Sequence, residues 1–137
     1  MKEDTEPAVE IKDVFLNDIQ PEKTKISVKI GVKNPLPINA AIKKVHFKIY
    51  RLAEDGHEEY IGEGEETEIK MKGLSENILE IPVALKNRSL VFAAASLFMG
   101  DLTVIVRGSL FFDLKIFAPE IKFEERKVIT GFLKNLY

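Results

Sequence analysis

The 137-residue chain contains no cysteine and no tryptophan, and it has only two histidines. The absence of cysteine excludes disulfides, cysteine-ligated zinc and thiol catalysis from this sequence. The longest nearly apolar run, residues 90–99, is about half of the roughly 20 residues that a membrane-spanning helix needs. The first residues are polar and lack the apolar segment of a signal peptide. We therefore expect a cytoplasmic protein; a membrane-tethered or extracytoplasmic location is the alternative if an upstream anchor was removed.

Neither charge sign dominates, since 20 basic and 22 acidic residues give a formal net charge of −2. This balance argues against a generic nucleic-acid binder, so no nucleic-acid partner is expected. Apolar residues make up 45% of the chain, which is too much for a disordered protein, and the length fits one domain. We predict a single domain over residues 1–137, with a core at 7–128, a polar stub at 1–6 and a C-terminal tail or short helix at 129–137.

Alternation of apolar and polar residues runs through most of the chain, which is typical of strands with one buried face. The clearest segment, residues 23–33, places Ile26, Val28, Ile30 and Val32 on one face and Lys23, Lys25, Ser27, Lys29 and Lys33 on the other. Six further strand segments are predicted at residues 8–17, 42–50, 58–71, 77–85, 102–116 and 120–128. A slip in parity near Asp13 predicts a bulge, and Gly108 predicts a bend, since glycine marks bulges and close backbone approach.

The inward faces of these segments predict the core residues Ile30, Val32, Phe47, Ile81, Val83, Val104, Val106 and Leu110. Seven strands at this spacing predict an all-β fold, an antiparallel β-sandwich of fibronectin type III or immunoglobulin-like character. One Ala-rich segment breaks the alternation, with Val91, Ala94 and Phe98 at helical spacing. It predicts one short helix within residues 88–99, which Asn87 can cap and Gly100 can end.

Four motifs follow one another along the chain: Pro7–Val14, Val32–Ile38, Ile81–Val83 and Gly108–Leu114. In order and spacing they resemble the late embryogenesis abundant group 2 family, also called the water stress and hypersensitive response domain, over residues 7–127. Leu36 stands where that family usually has Asn. The resemblance implies a fibronectin-type-III-like sandwich, no catalytic residues and a role in desiccation or other stress responses.

Within the second motif, Asn34 precedes Pro35, so its backbone is driven toward extended geometry and its side chain can close an Asx-type turn. Pro35 and Pro37 then end the strand. This favours a structural role for the motif.

Catalytic and ligand-binding patterns are weak. His46 lies between Lys44 and Lys48 on a polar face, and His57 lies in a turn, so the two share no metal-ligand spacing. The serines at 89, 96 and 109 have no nearby histidine, and no Gly-rich phosphate loop is present. We expect no catalytic, cofactor-binding or metal-binding residues, no cofactor and no enzyme activity.

The order of charges is the least usual feature. Eight basic residues and no acid occur from Lys23 to Arg51, and eight acids and no base occur from Glu54 to Glu68. This favours a hairpin with cross-strand ion pairs. The alternative is a dipolar surface whose lysine face binds anionic headgroups or an acidic partner. A calcium site is disfavoured because the acidic run, at Glu58, Glu59, Glu63, Glu65 and Glu66, lacks the spacing of a loop site.

These observations predict a non-catalytic, stress-protecting module that binds or stabilises other molecules. A tethered envelope or adhesion-type binding module is the alternative. The partner stays open between an anionic membrane surface and a protein client, and the oligomeric state between a monomer and a weak dimer. The apolar residues Phe132, Leu133, Leu136 and Tyr137 are expected to pack on the sandwich or on a second copy.

Overall fold

Seven antiparallel strands form two sheets in a computed structural model that describes residues 8–19, 24–85, 101–114 and 118–129. The strands are β1 (Ala8–Ile19), β2 (Thr24–Asn34), β3 (Ala40–Leu52), β4 (Glu58–Met71), β5 (Ser75–Ala84), β6 (Leu102–Asp113) and β7 (Glu120–Ile129). One sheet has the order β1-β2-β5 and the other β4-β3-β6-β7. The predicted all-β antiparallel sandwich is confirmed, while its fibronectin or immunoglobulin label stays a prediction. The helix predicted within 88–99 and the tail beyond residue 129 lie outside the described residues.

The core lies between the two sheets and consists of the inward residues of both. All eight predicted core residues are buried, each with 2% or less of its surface exposed. Ser27 lies on the outer face of β2 as predicted, yet only 1% of it is exposed. The reason is that β2 is the central strand, with Phe15 and Pro82 beside Ser27, and that Asn17 Nδ2 donates a hydrogen bond of 3.1 Å to Ser27 Oγ.

The end of β7 differs from the predicted boundary of the core. Val128 lies opposite Thr103 and is 54% exposed, whereas Ile129 lies opposite Leu102 and is fully buried. The last buried residue of the strand is therefore Ile129, one position beyond the predicted core.

Phe47, the largest side chain at the centre of β3, lies between two glycines. Its register partners are Gly64 on β4 and Gly108 on β6. A Cβ on Gly64 would lie 2.5 Å from Cζ of the ring, and a Cβ on Gly108 would lie 2.6 Å from Cβ of Phe47. The register passes through Gly108 without a bulge. Gly108 therefore provides a close backbone approach to β3 at His46 and Phe47, while Gly64 leaves room for the aromatic ring.

Three of the four edge strands carry a bulge or a proline, either of which makes the edge less regular. β1 has the predicted bulge between Ile11 and Asp13, and it has a second one further along. β4 has an extra residue at Ile61, and β5 contains Pro82, which has no N–H to donate.

The fourth edge strand, β7, turns charged residues toward the core side. Glu125 and Lys127 lie opposite Val106 and Val104, which are buried residues of β6. Lys127 Nζ lies 3.8 Å from Glu125 Oε2. A charged pair thus occupies the inner face at the rim of the sandwich.

Candidate interaction surfaces

The two opposite charge runs of the sequence meet in the β3–β4 hairpin. Lys44 Nζ lies 2.8 Å from Glu65 Oε1, and Arg51 Nη2 lies 2.8 Å from Glu59 Oε2. The predicted hairpin with cross-strand ion pairs is therefore confirmed. The hydrogen bond from Lys44 lowers the pKa of the Glu65 carboxyl.

His46 lies on the outer face of this hairpin, as its neighbours in sequence predicted. Its Nε2 lies 2.8 Å from Oε2 of Glu63, while Tyr60 Oη donates a hydrogen bond of 2.5 Å to Glu63 Oε1. Both hydrogen bonds lower the pKa of the Glu63 carboxyl, and the one from Tyr60 has the larger effect. Burial and the hydrogen bond to Glu63 together raise the pKa of Tyr60 to about 12.

Arg107 on β6 continues the same face. Its Cζ lies 5.0 Å from the ring centroid of Tyr50, which packs edge-on against Tyr60 with 6.0 Å between centroids. The guanidinium donates to the Glu124 carboxylate through Nε and to Glu58 Oε1 at 3.2 Å through Nη2. Pairing with Glu124 first, and then with Glu58, raises the pKa of Arg107. Arg107 thus pairs with one acid on β7 and with one on β4.

Four of the acids singled out as unsuited to calcium, Glu58, Glu59, Glu63 and Glu65, belong to different pairs. In the described residues no group of three His, Asp and Glu side chains is placed to hold a metal ion. The described part of the chain also contains no helix with the length and hydropathy that a membrane crossing requires.

The lysines of β2 are accompanied by acids from the strands on either side. The register places Asp13 and Glu80 beside Lys29, and Glu76 beside Lys33. Lys29 Nζ also lies 5.4 Å from the ring centroid of Phe15. The face that the sequence suggested as a basic surface therefore has an alternating charge pattern.

One residue of β1 crosses that face. Lys12 reaches over Gly31, where an added Cβ would lie 2.6 Å from its Cε. The ammonium lies 3.2 Å from Glu10 and 3.9 Å from Glu76 on β5. Because Gly31 on β2 has no side chain, Lys12 can extend from β1 across β2 toward β5.

Asn34 closes one end of the sandwich. It is fully buried, and its Oδ1 accepts a hydrogen bond of 3.1 Å from the Leu36 N–H, which is the predicted Asx-type turn. Its Nδ2 donates to the carbonyl oxygens of Ile38 at 2.9 Å and of Lys72 at 3.2 Å. The side chain therefore joins the β2–β3 turn to the β4–β5 turn.

Further hydrogen bonds fix these two turns to each other. The Leu74 N–H donates to Leu36 O at 2.8 Å, and the Gly73 N–H donates to Asn39 Oδ1 at 3.2 Å. A Cβ on Gly73 would lie 2.7 Å from the backbone carbon of Pro37, so only glycine permits this contact.

We call the exposed part of this unit the apolar tip, comprising Pro37, Ile38 and Leu74. Ile38 is 37% exposed and Leu74 is 71% exposed. No pattern in the sequence predicts the tip, because an isolated leucine in a turn has no periodicity, and the local clue is the preceding Gly73.

Comparison with known proteins shows similarity in sequence to one curated protein and in fold to several solved structures. No protein-family model matches the chain. The uncharacterized protein MJ1138 of Methanocaldococcus jannaschii is 29% identical over 111 residues, covering 81% of this chain. The chain spans only 63% of that relative's length.

Three solved structures share the fold at low sequence identity. AT1g01470 from Arabidopsis thaliana has a TM-score of 0.64 and 23% identity over 89% of this chain and 82% of its own. A protein from Archaeoglobus fulgidus has a TM-score of 0.59 and 16% identity over 90% and 95%. A candidate late embryogenesis abundant (LEA) protein, At2g46140.1, has a TM-score of 0.66 and 16% identity over 96% and 75%. This chain therefore has a β-sandwich fold similar to that of a candidate LEA protein.

Proposed function

We propose that this chain is a non-catalytic module that protects other macromolecules during water stress such as desiccation. The observation that carries the proposal is the likeness of its sandwich to the candidate LEA protein At2g46140.1, with a TM-score of 0.66. The four sequence motifs, which resemble the same group of proteins, support it independently. The expected cytoplasmic location is part of this proposal and rests on the sequence.

The positions of the shifted titratable groups support a non-catalytic role. Catalytic groups with perturbed pKa values are expected in clefts that exclude water. Here Glu63, Glu65 and Arg107 lie on the open outer face of a sheet, and neighbouring ion pairs and hydrogen bonds account for their shifts. Tyr60 belongs to the same network. We interpret the network as structural.

That network also suits a protein that has to stay folded as water is withdrawn. Attraction between opposite charges grows as the surrounding medium becomes less polar. The pairs Lys44–Glu65 and Arg51–Glu59 are already formed at 2.8 Å and need no rearrangement to gain from this change. The sandwich can therefore keep its folded surface during drying, and that surface stays available to the macromolecule that it protects.

The test is protection of an enzyme that is sensitive to drying, such as lactate dehydrogenase. The enzyme is dried and rehydrated with this protein or with an equal mass of serum albumin, and the recovered activity is measured. We expect more recovery with this protein than with albumin. Recovery equal to the albumin control would mean that only added protein mass matters, which would refute the proposal.

A further inference from the structure

Leu74 is unfavourable in the isolated domain for two separate reasons. Its φ of 52° lies in the left-handed region, which favours Gly or Asn and is costly for a leucine. Its side chain is also 71% exposed to water. A strained residue that also exposes apolar surface is where a functional contact is to be sought.

The surroundings hold Leu74 in this position. The Leu74 N–H is bound to Leu36 O, and Ser75 Oγ donates a hydrogen bond of 2.5 Å to Lys72 O on the other side of the turn. Asn34 fixes the facing turn, which carries Ile38. The apolar tip is thus presented in a defined conformation, so docking would cost little in ordering the loops.

Three exposed lysines surround the tip: Lys33, Lys70 and Lys72. None of them forms an ion pair with a described residue, whereas Lys44 and Lys12 do. Lys33 has Glu76 beside it in the register, although the Glu76 carboxylate lies 3.9 Å from the Lys12 ammonium. The three lysines thus present cationic charge that no ion pair with a described residue takes up.

Shallow clefts on both sides of the tip bring these lysines to the same end of the molecule. One, of about 390 Å³, is lined by Lys33, Pro35, Leu74 and Ser75 among others. The second, of about 510 Å³, is lined by Asn39, Ala40, Met71, Lys70 and Lys72 among others. Each cleft also contains one carboxylate, Glu76 in the first and Asp113 in the second, and these lie 3.9 Å from the ammonium groups of Lys12 and Lys43. Each cleft thus combines apolar atoms with at least one lysine that forms no ion pair with a described residue.

We propose that the apolar tip docks on the surface of an anionic lipid bilayer. Leu74 and Ile38 enter the boundary between headgroups and acyl chains, while the three lysines bind headgroup phosphates. A projecting apolar group flanked by cationic side chains is an arrangement that binds an anionic membrane interface. A projecting tip also suits a deformable lipid surface better than a rigid protein, which would need a matching hollow. This site is separate from the client protection proposed above, and either proposal can fail without the other.

The test measures cosedimentation with vesicles of phosphatidylserine mixed with phosphatidylcholine, and with vesicles of phosphatidylcholine alone. We expect binding to the anionic vesicles at low salt and release at high salt, because salt screens the attraction. The double variant Lys33→Glu/Lys72→Glu should weaken binding by at least roughly fivefold for each lysine changed. Lys25→Glu/Lys29→Glu changes the net charge equally on the outer face of β2 and should leave binding nearly unchanged.

Leu74→Asn separates docking from folding. Asn adopts positive φ more readily than Leu, so the variant should melt at a higher temperature than the wild type. It should nevertheless bind anionic vesicles roughly tenfold more weakly, because the inserted apolar side chain is lost. Unchanged binding of Leu74→Asn would overturn the proposal. Equal partitioning to both kinds of vesicle, or equal losses in the two double variants, would overturn it as well. Failure to bind any vesicle would also refute it and would point to an acidic protein surface as the partner.

Discussion

Nδ2 of Asn34 donates a hydrogen bond of 3.2 Å to the carbonyl oxygen of Lys72, and this bond joins the two sheets at one end of the sandwich. Asn34 ends β2 in the three-stranded sheet, and Lys72 follows β4 in the four-stranded sheet. Since the same side chain also binds backbone atoms of Leu36 and Ile38, one amide group holds the main chain of two turns.

Asn34→Ala should therefore lower the free energy of unfolding by about 1–3 kcal/mol, because it leaves buried backbone groups without partners. Urea denaturation measures the loss. Asn34→Asp is the matched variant: it keeps an acceptor for the Leu36 N–H but replaces the amide donor with a carboxylate oxygen facing two carbonyls. At neutral pH it should be no more stable than the Ala variant. If Asn34→Ala unfolds like the wild type, the turns are held without this side chain.

Phe47→Ala should cost about 3–5 kcal/mol, because the ring is fully buried and its removal leaves a cavity. Chemical denaturation of Phe47→Leu, which fills more of the space, provides the comparison and should show a smaller loss. A cost below about 1 kcal/mol for the Ala variant would mean that the core closes around the gap.

Gly64→Ala tests the space beside that ring. The added methyl group would meet Phe47 Cζ at 2.5 Å, so the variant should be destabilised by about 1–3 kcal/mol. In a Phe47→Ala background the same methyl group enters the vacated space and should cost less. A double-mutant cycle measures the coupling, and additive effects would show that Phe47 is not what excludes a side chain at position 64.

Glu63 should make stability depend on acid pH. Hydrogen bonds from Tyr60 and His46 lower its pKa below the ordinary value of 4.5 in the folded protein. The stabilisation is therefore fully present above pH 4.5 and is lost as pH falls through the lowered pKa. Melting temperatures of wild type and Glu63→Gln across this range should converge in acid. A difference that does not change with pH would contradict the assignment.

Tyr60 should titrate abnormally at the alkaline end. Its pKa is raised from 10.0 to about 12, mainly by burial and then by its hydrogen bond to Glu63. The stability that the neutral phenol contributes is thus complete below pH 10 and lost as pH rises through about 12. Tyrosine ring-carbon NMR measures the titration. Glu63→Gln should lower the pKa of Tyr60 only part of the way, because burial remains.

Two non-glycine residues in the described chain have positive φ, Glu68 at 54° and Leu74 at 52°. Replacing either with Asn should raise the free energy of unfolding by up to about 1 kcal/mol, since Asn tolerates this conformation better. Thermal melts check both. Only Leu74→Asn should also weaken vesicle binding, so the pair separates a gain in stability from a loss of docking.

Much of the fold follows from local alternation in the sequence. The parity slip near Asp13 correctly predicted the first bulge of β1, and the alternation around Phe47 correctly gave its burial. The opposite charge runs predicted the β3–β4 ion pairs, because two neighbouring strands joined by a short turn form a hairpin. The hairpin places the basic and acidic side chains next to each other. In each case the relevant partners are close in sequence or repeat with a fixed period.

The remainder depends on contacts between distant segments. Burial of Ser27 comes from neighbours on β1 and β5, and no sequence pattern within β2 predicts it. Exposure of Leu74 in a strained conformation arises because the turn after β4 has to fit against the turn after β2. The acceptor for His46 was also missed, since the bond to Glu63 runs diagonally rather than to the direct register partner Glu65.

The interrupted edges of the two sheets have a consequence for this protein at very high concentration. A regular edge strand offers its free N–H and C=O groups to another molecule, and this pairing leads to fibrils. The bulges of β1 and β4, Pro82 in β5 and the inward charges of Glu125 and Lys127 in β7 oppose such pairing at every edge described. When molecules are crowded together, edge-to-edge pairing between them is therefore disfavoured, and they can stay separate domains.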